Sequence, residues 1–207
     1  MCVVARRLHE LPHGGYEPGA RVVSLTFDDG PSSTTDAVLD VLAQCEVHAT
    51  FFVVGDECRK LPEVVARIAE RGHAIGAHSW SHTPLGALDD DSVRAEFTRT
   101  REIVRTLAGC EVVHARPPYH KEDAARLAAL LGPLGWDAVV TWSVDPQDWR
   151  RASTPDAIVE SVVDALHPGA IVLLHDGGGR RDVTVEALPG LVSAARAQGY
   201  RFVTLPQ

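Results

Sequence analysis

Arg21–Pro31 reads RVVSLTFDDGP. Its apolar stretch (Val22, Val23, Leu25, Phe27) runs directly into two carboxylates, Asp28 and Asp29, and then into Gly30-Pro31. Near-continuous apolar sequence fits a strand buried on both faces, as in a parallel sheet, and Gly-Pro turns the chain out of it. The arrangement recurs along the chain. Val47–Val54, His73–Ala77, Glu111–Ala115, Ala138–Trp142, Ala170–Leu174 and Tyr200–Leu205 are further candidate strands. The segments between them carry apolar residues at helical spacing and are expected to be helices: Thr34–Gln44, Pro62–Arg71, Asp91–Leu107, Asp123–Leu131, Thr154–Leu166 and Val183–Ala197. Alternating strands and helices predict a parallel α/β fold.

An open doubly wound sheet and a (β/α) barrel share this alternation. The polar residues favour the barrel. Asp28 and Asp29 follow the first candidate strand, Arg21–Phe27; His78 follows the third, Arg116 the fourth, Asp145 and Asp148 the fifth, and His175 the sixth. A barrel gathers strand C-termini around one mouth, where groups from distant strands can meet.

Each strand end has a chemical reading and a plain structural one. Asp28-Asp29-Gly30 can be a solvated turn, or a pair of acids of which one ligates a cation and the other faces a water. His78-Ser79-Trp80-Ser81-His82 puts two imidazoles at i and i+4, one face of a helical turn, where both can reach one divalent ion. With Asp29 they would form a His-His-carboxylate set with coordination positions left open, as catalytic sites require. The zinc-protease pattern H-E-x-x-H is absent, because Ser79 stands in place of its Glu. In Arg116-Pro117-Pro118-Tyr119 the prolines fix a loop whose Tyr119 N–H could serve as an oxyanion donor. Arg116 could hold a carboxylate ionised. Asp145-Pro146-Gln147-Asp148-Trp149 sets carboxylates beside a large aromatic. Leu173-Leu174-His175-Asp176 leads a histidine, suited to general acid work, into Gly177-Gly178-Gly179.

Together the stretches TFDDGP (26–31), HSWSH (78–82), RPPY (116–119), DPQDW (145–149) and LLHD (173–176), with ATFFVVG (49–55), resemble the NodB-homology polysaccharide deacetylases, carbohydrate esterase family 4. The resemblance implies a distorted (β/α)7-type barrel forming a single domain over residues 1–207, with core motifs within 22–205. It implies one divalent metal ion, usually zinc with cobalt or nickel as alternatives, held by Asp29, His78 and His82. It implies Asp28 as general base, His175 as general acid, Arg116 as the partner of Asp28 and Asp148 as the partner of His175. Tyr119, Trp149 and Leu173 would bind the substrate, the last two walling the acetyl methyl. The implied activity is removal of acetyl groups from N-acetylated amino sugars, polymeric, oligomeric or small. An acetylxylan-type O-acetyl esterase, an amidohydrolase acting on a non-sugar N-acyl metabolite, and a non-catalytic carbohydrate-binding module are the alternatives. His120 stands where the family usually has Gly after RPPY, and a bulky side chain there could narrow the cleft or contact the substrate.

Composition limits the remaining classes. A formal charge of −8 with no block of like charges argues against a nucleic-acid surface. No apolar run reaches the roughly 18 residues of a membrane span. Arg6, Arg7, His9 and Glu10 interrupt the apolar stretch a secretory signal needs, so the chain as given is expected in the cytoplasm, or outside it if a signal was removed. The four cysteines, Cys2, Cys45, Cys58 and Cys110, form no C-x-x-C pair and are expected as free thiols. Nothing in the sequence fixes the oligomeric state.

Overall fold

A computed structural model describes residues 5–11, 19–119 and 123–206. His120 and Cys2 lie outside these residues. In chain order the strands are β1 (Arg6–Leu8), β2 (Val22–Asp28), β3 (Thr50–Val53), β4 (Ala74–Ala77), β5 (His114–Ala115), β6 (Ala138–Val140), β7 (Ala170–His175) and β8 (Arg201–Phe202). The helices are α1 (Thr35–Gln44), α2 (Gly55–Lys60), α3 (Pro62–Glu70), α4 (Asp90–Ala108), α5 (Ala124–Leu131), α6 (Pro155–Ala165) and α7 (Asp182–Ala197).

All pairings between these strands are parallel, in the order β1-β6-β5-β4-β3-β2-β7. β8 pairs with Val22 and Val23 of β2. Since β7 occupies one edge of β2, β8 lies on the edge that β3 uses further along. The sheet curls until its ends meet. Val144, just beyond β6, bridges Val172 of β7, and Glu10, just beyond β1, bridges Ala170. The result is the distorted barrel expected from the sequence, closed by single bridges rather than a full strand pair.

Strand alternation sorts the side chains into two layers. Val23, Leu25 and Phe27 of β2 point outward into the main apolar core beneath the helices, together with Phe51, Val53, Ile75, Val139, Val172 and Leu174. Val22, Ser24, Thr26 and Asp28 have the opposite parity and point into the barrel. There Phe52, Val140, Trp142, Ile171 and Leu173 form a second, smaller cluster. Asp28 therefore ends an inward-facing row and is only 2% exposed. Gly76 of β4 makes room in this interior, because a Cβ there would stand 2.5 Å from the Phe52 ring.

Two elements differ from the sequence expectation by their presence. β1 has an exposed, basic pattern, Arg6-Arg7-Leu8, typical of an edge strand and without the apolar run that marks a buried one. It raises the strand count from seven to eight. α2 is short and polar, and its early N–H groups are satisfied by the loop after β4: Gly55 N–H donates to Ser79 O at 3.0 Å and Asp56 N–H to Trp80 O at 2.9 Å. Cys45, Cys58 and Cys110 are free thiols, as expected. Among the described residues no helix is long and apolar enough to cross a membrane.

Candidate active site

The C-terminal ends of β2, β4, β5 and β7 open on a cleft of about 400 Å³. Asp29, His78 and His82 each offer one ligand atom, and these atoms lie within 4.8 Å of one another. His82 Nε2 is 3.0 Å and His78 Nε2 is 3.5 Å from Asp29 Oδ1. The other ring nitrogens explain why the Nε2 atoms face inward. His78 Nδ1 lies 2.9 Å from the carbonyl oxygen of Arg116, which can only accept, so Nδ1 carries the proton and Nε2 keeps a free lone pair. His82 Nδ1 lies 3.0 Å from the Tyr119 hydroxyl. This donor set fits a divalent cation in ligand type and proximity, and for His78 in tautomer. Hydrogen bonds from His78 and His82 outweigh burial and hold the Asp29 carboxyl well below the usual carboxylate range. Burial works against a proton on His78, but the charges of Asp28 and Asp29 prevail and raise its pKa, so protons compete with a cation as pH falls.

The two histidines are not on a helical turn. They sit on an irregular loop in which Ser79 (φ 64°) and His82 (φ 57°) take left-handed conformations. The i, i+4 spacing brings the rings to 5.0 Å between centroids by this tight loop instead. Such backbone costs energy in non-glycine residues and persists where its surroundings enforce it. Glu96 of α4 supplies the enforcement. Its Oε2 accepts from Trp80 N–H (2.9 Å), Ser81 N–H (2.7 Å) and Ser81 Oγ–H (2.9 Å). The Arg99 guanidinium lies 4.0 Å over the Trp80 ring. Replacing Glu96 by alanine is expected to weaken zinc binding about 10-fold or more, by analogy with other residues that orient metal ligands. Calorimetric zinc titration checks this, and an unchanged affinity would show the loop is held by other means.

Asp28 stands beside this set, its Oδ2 3.6 Å from His78 Nε2. Its Oδ1 accepts from Arg116 Nη1 at 2.7 Å. Arg116 has no exposed surface and is anchored on every side. Nη1 also donates to Thr26 Oγ1 (2.8 Å), Nη2 to Thr141 O (3.1 Å) and Nε to Val140 O (3.3 Å), and the guanidinium lies 4.0 Å over the Phe52 ring that Gly76 admits. Arg116 thus fills the barrel interior and fixes Asp28 from below.

Across the cleft, His175 Nδ1 lies 2.7 Å from Asp148 Oδ1. Asp148 Oδ2 accepts from the His175 backbone N–H (2.9 Å) and from Thr184 Oγ1 (2.7 Å). Asp148 is 1% exposed and has both oxygens engaged. Burial alone would lower the His175 pKa, but the hydrogen bond and charge of Asp148, with Asp28 and Asp29 further off, raise it.

Trp149, Leu173, Tyr119 and Asp145 also line the cleft. Leu173 is buried, whereas Trp149 is 49% exposed. The anticipated catalytic, substrate-binding and ligand residues therefore converge here, Arg116 and Asp148 from behind the cleft wall, while His120 lies outside the described residues. Glu96, Thr184 and Thr26 were not anticipated. Nor was the closeness of the glycine run: a Cβ on Gly177 would stand 2.2 Å from Asp29 O, and one on Gly178 2.3 Å from Asp29 Oδ2. These glycines let the β7 loop press against the candidate ligand, so their lack of side chains matters more than flexibility.

The profile of the polysaccharide deacetylase family matches residues 15–133, more than half of the 207-residue chain. The chain belongs to the polysaccharide deacetylase family. Within it, the chain is 37% identical over 216 aligned residues to a chitooligosaccharide deacetylase of Rhizobium leguminosarum bv. trifolii, with 97% of each chain covered. It is 39% identical over 191 residues to a peptidoglycan-N-acetylglucosamine deacetylase of Bacillus cereus, covering 89% of this chain and 66% of that relative. A crystal structure of a peptidoglycan N-acetylglucosamine deacetylase in complex with 4-naphthalen-1-yl-N-oxidanyl-benzamide superposes with a TM-score of 0.87 at 35% identity, covering 98% of this chain and 92% of the other.

Proposed function

We propose that this protein is a metal-dependent hydrolase that removes acetyl groups from N-acetylated amino sugars. The carrying observation is that two buried pairs, Asp28–Arg116 and His175–Asp148, border one cleft with the Asp29–His78–His82 set. The names of the relatives support the sugar. The compound in the related crystal structure is a hydroxamic acid, a chelating group by its chemistry, which supports the cation.

Asp29, His78 and His82 would hold one divalent ion, with zinc expected and cobalt or nickel as substitutes, and when bound it supplies Lewis-acid polarisation of the acetyl carbonyl. Asp28 accepts a proton from the attacking water, whose oxygen bonds to the acetyl carbon. Arg116 holds that carboxylate in place through the Nη1–H bond to Oδ1. The Tyr119 backbone N–H donates to the developing oxyanion. Trp149 and Leu173 enclose the acetyl methyl and exclude bulk water. His175, with Nδ1 committed to Asp148, presents Nε2 to the leaving nitrogen and protonates it as the C–N bond breaks. The acid and the base carry opposite partners, a carboxylate and a guanidinium.

Acetate release from N-acetylated chitooligosaccharides, acetylated xylan and simple N-acetyl amines, measured side by side, tests the reading. Release from the chitooligosaccharides is expected to exceed that from the other two. Cleavage of the simple amines alone would remove the sugar from the assignment, and cleavage of xylan alone would make the protein an O-acetyl esterase.

A further inference from the structure

Asp29, the carboxylate of the candidate cation set, has a left-handed backbone with φ 75°. In a residue other than glycine that conformation costs energy and depends on its surroundings. The loop after β7 forms one wall around it. The loop approaches so closely that a Cβ on Gly177 would stand 2.2 Å from Asp29 O, and one on Gly178 2.3 Å from Asp29 Oδ2. A run of three glycines has little conformational preference of its own. A wall made of Gly177-Gly178-Gly179 therefore has to be pinned from outside.

Arg181, directly before α7, is placed to do this. It is 6% exposed, and its side chain turns back over the loop. Nε donates to Gly177 O at 2.7 Å and Nη1 to Arg180 O at 3.1 Å. Nη1 also lies 3.5 Å from the place a Cβ on Gly179 would take, so the guanidinium packs along the glycine run. Among the described residues no carboxylate bonds to it, and both hydrogen bonds go to main-chain oxygens. Burying a guanidinium without a counter-charge is a poor way to stabilise a fold, and an apolar side chain of similar volume would cost less. What the guanidinium supplies is the bond to the loop.

We propose that Arg181 is a positioning residue for the cation site: through the Gly177 carbonyl it holds the glycine loop against Asp29, and so keeps that carboxylate where His78 and His82 can share a cation with it. The inference rests on the metal-dependent reading of the site. A second arm leaves the same residue without using its side chain. Arg181 O accepts from Thr184 N–H at 3.0 Å and Val185 N–H at 3.1 Å, and the Thr184 hydroxyl donates to Asp148, the partner of His175. Replacing the side chain therefore loosens the cation side of the cleft and leaves the general acid in place.

Arg181→Met tests this, since methionine keeps apolar bulk and cannot donate. Calorimetric titration is expected to show zinc affinity lowered about 10-fold or more. The metal-free variant is expected to unfold at the native temperature or above it, because an uncompensated buried charge is gone. With zinc saturating, the alkaline limb of turnover stays where it is in the native protein. Arg181→Lys, whose ammonium can donate to Gly177 O, recovers part of the affinity. Native zinc affinity in Arg181→Met overturns the proposal. So does a metal-free variant that unfolds well below the native temperature, which would make Arg181 a support of the fold. Zinc binding by the native protein is measured beside them: its absence removes the metal reading and this inference with it, whereas tight native binding leaves the variants to judge Arg181 alone.

Discussion

Asp28→Asn is expected to lower the turnover number for acetate release by at least about 10²–10⁴-fold while one zinc ion per chain is still bound. The amide oxygen keeps the shape of the side chain and can still accept from Arg116 Nη1, which lies 2.7 Å from Oδ1 in the native site. It cannot take the proton that attacking water must lose, and general base catalysis is worth a factor of that size. The cation set comprises Asp29, His78 and His82, so zinc retention is expected. Arg116, with no exposed surface, loses its carboxylate partner, and the protein should lose some stability, since breaking a buried pair costs about 3–5 kcal/mol. Turnover, zinc content and thermal unfolding measured together separate these effects. A folded, zinc-loaded variant with native turnover would take Asp28 out of the base role.

Asp148→Asn is expected to move the alkaline limb of the turnover profile to lower pH and to lower its plateau by about 10²–10⁴-fold. His175 acts as an acid only while protonated, so turnover falls as pH rises through its pKa. Asp148 is the main cause that raises that pKa against burial, by hydrogen bond and charge, so removing the charge brings the limb down. The plateau falls for a geometric reason. Asp148 Oδ2 accepts from the His175 N–H and the Thr184 hydroxyl, and an asparagine that keeps its oxygen on Nδ1 turns an NH2 toward those donors. Asp148→Glu would restore the charge without the geometry, so its limb should return further than its plateau. An alkaline limb that stays in place in Asp148→Asn would show that another group donates the proton.

The legible parts of this molecule are those where burial writes directly into sequence. β2 and β7 are covered on both faces, so their apolar runs stand out, and the chemistry-bearing residues close them. Asp28, Asp29, His78, Arg116, Asp148 and His175 could be named because each follows a strand or sits in the loop just beyond one. Two short elements escaped for the opposite reason. β1 is an edge strand carrying Arg6 and Arg7, and α2 is a six-residue helix that depends on the carbonyls of Ser79 and Trp80. Neither has a periodic apolar pattern to read.

The support around the site was less visible than the site. Glu96 lies on α4 and reaches back to the loop between His78 and His82, a contact that only the packing of α4 creates. Thr184 closes on Asp148 across 36 residues of sequence. The i, i+4 spacing of His78 and His82 suggested a helix, whereas left-handed Ser79 and His82 achieve the same convergence in a loop. Spacing reports that two side chains can meet without specifying which backbone brings them together. The glycine run 177–179 is similar: only the approach of its backbone to Asp29 shows why side chains are excluded at Gly177 and Gly178.

The direct test of the whole account is acetate release by one protein preparation before chelation, after removal of metal, and after zinc is returned, beside zinc titrations of His78→Ala and His82→Ala. The account predicts activity lost with the metal and regained at one zinc ion per chain, with both variants failing to bind zinc tightly. Full acetate release from the metal-free protein, or native zinc affinity in both variants, would contradict it.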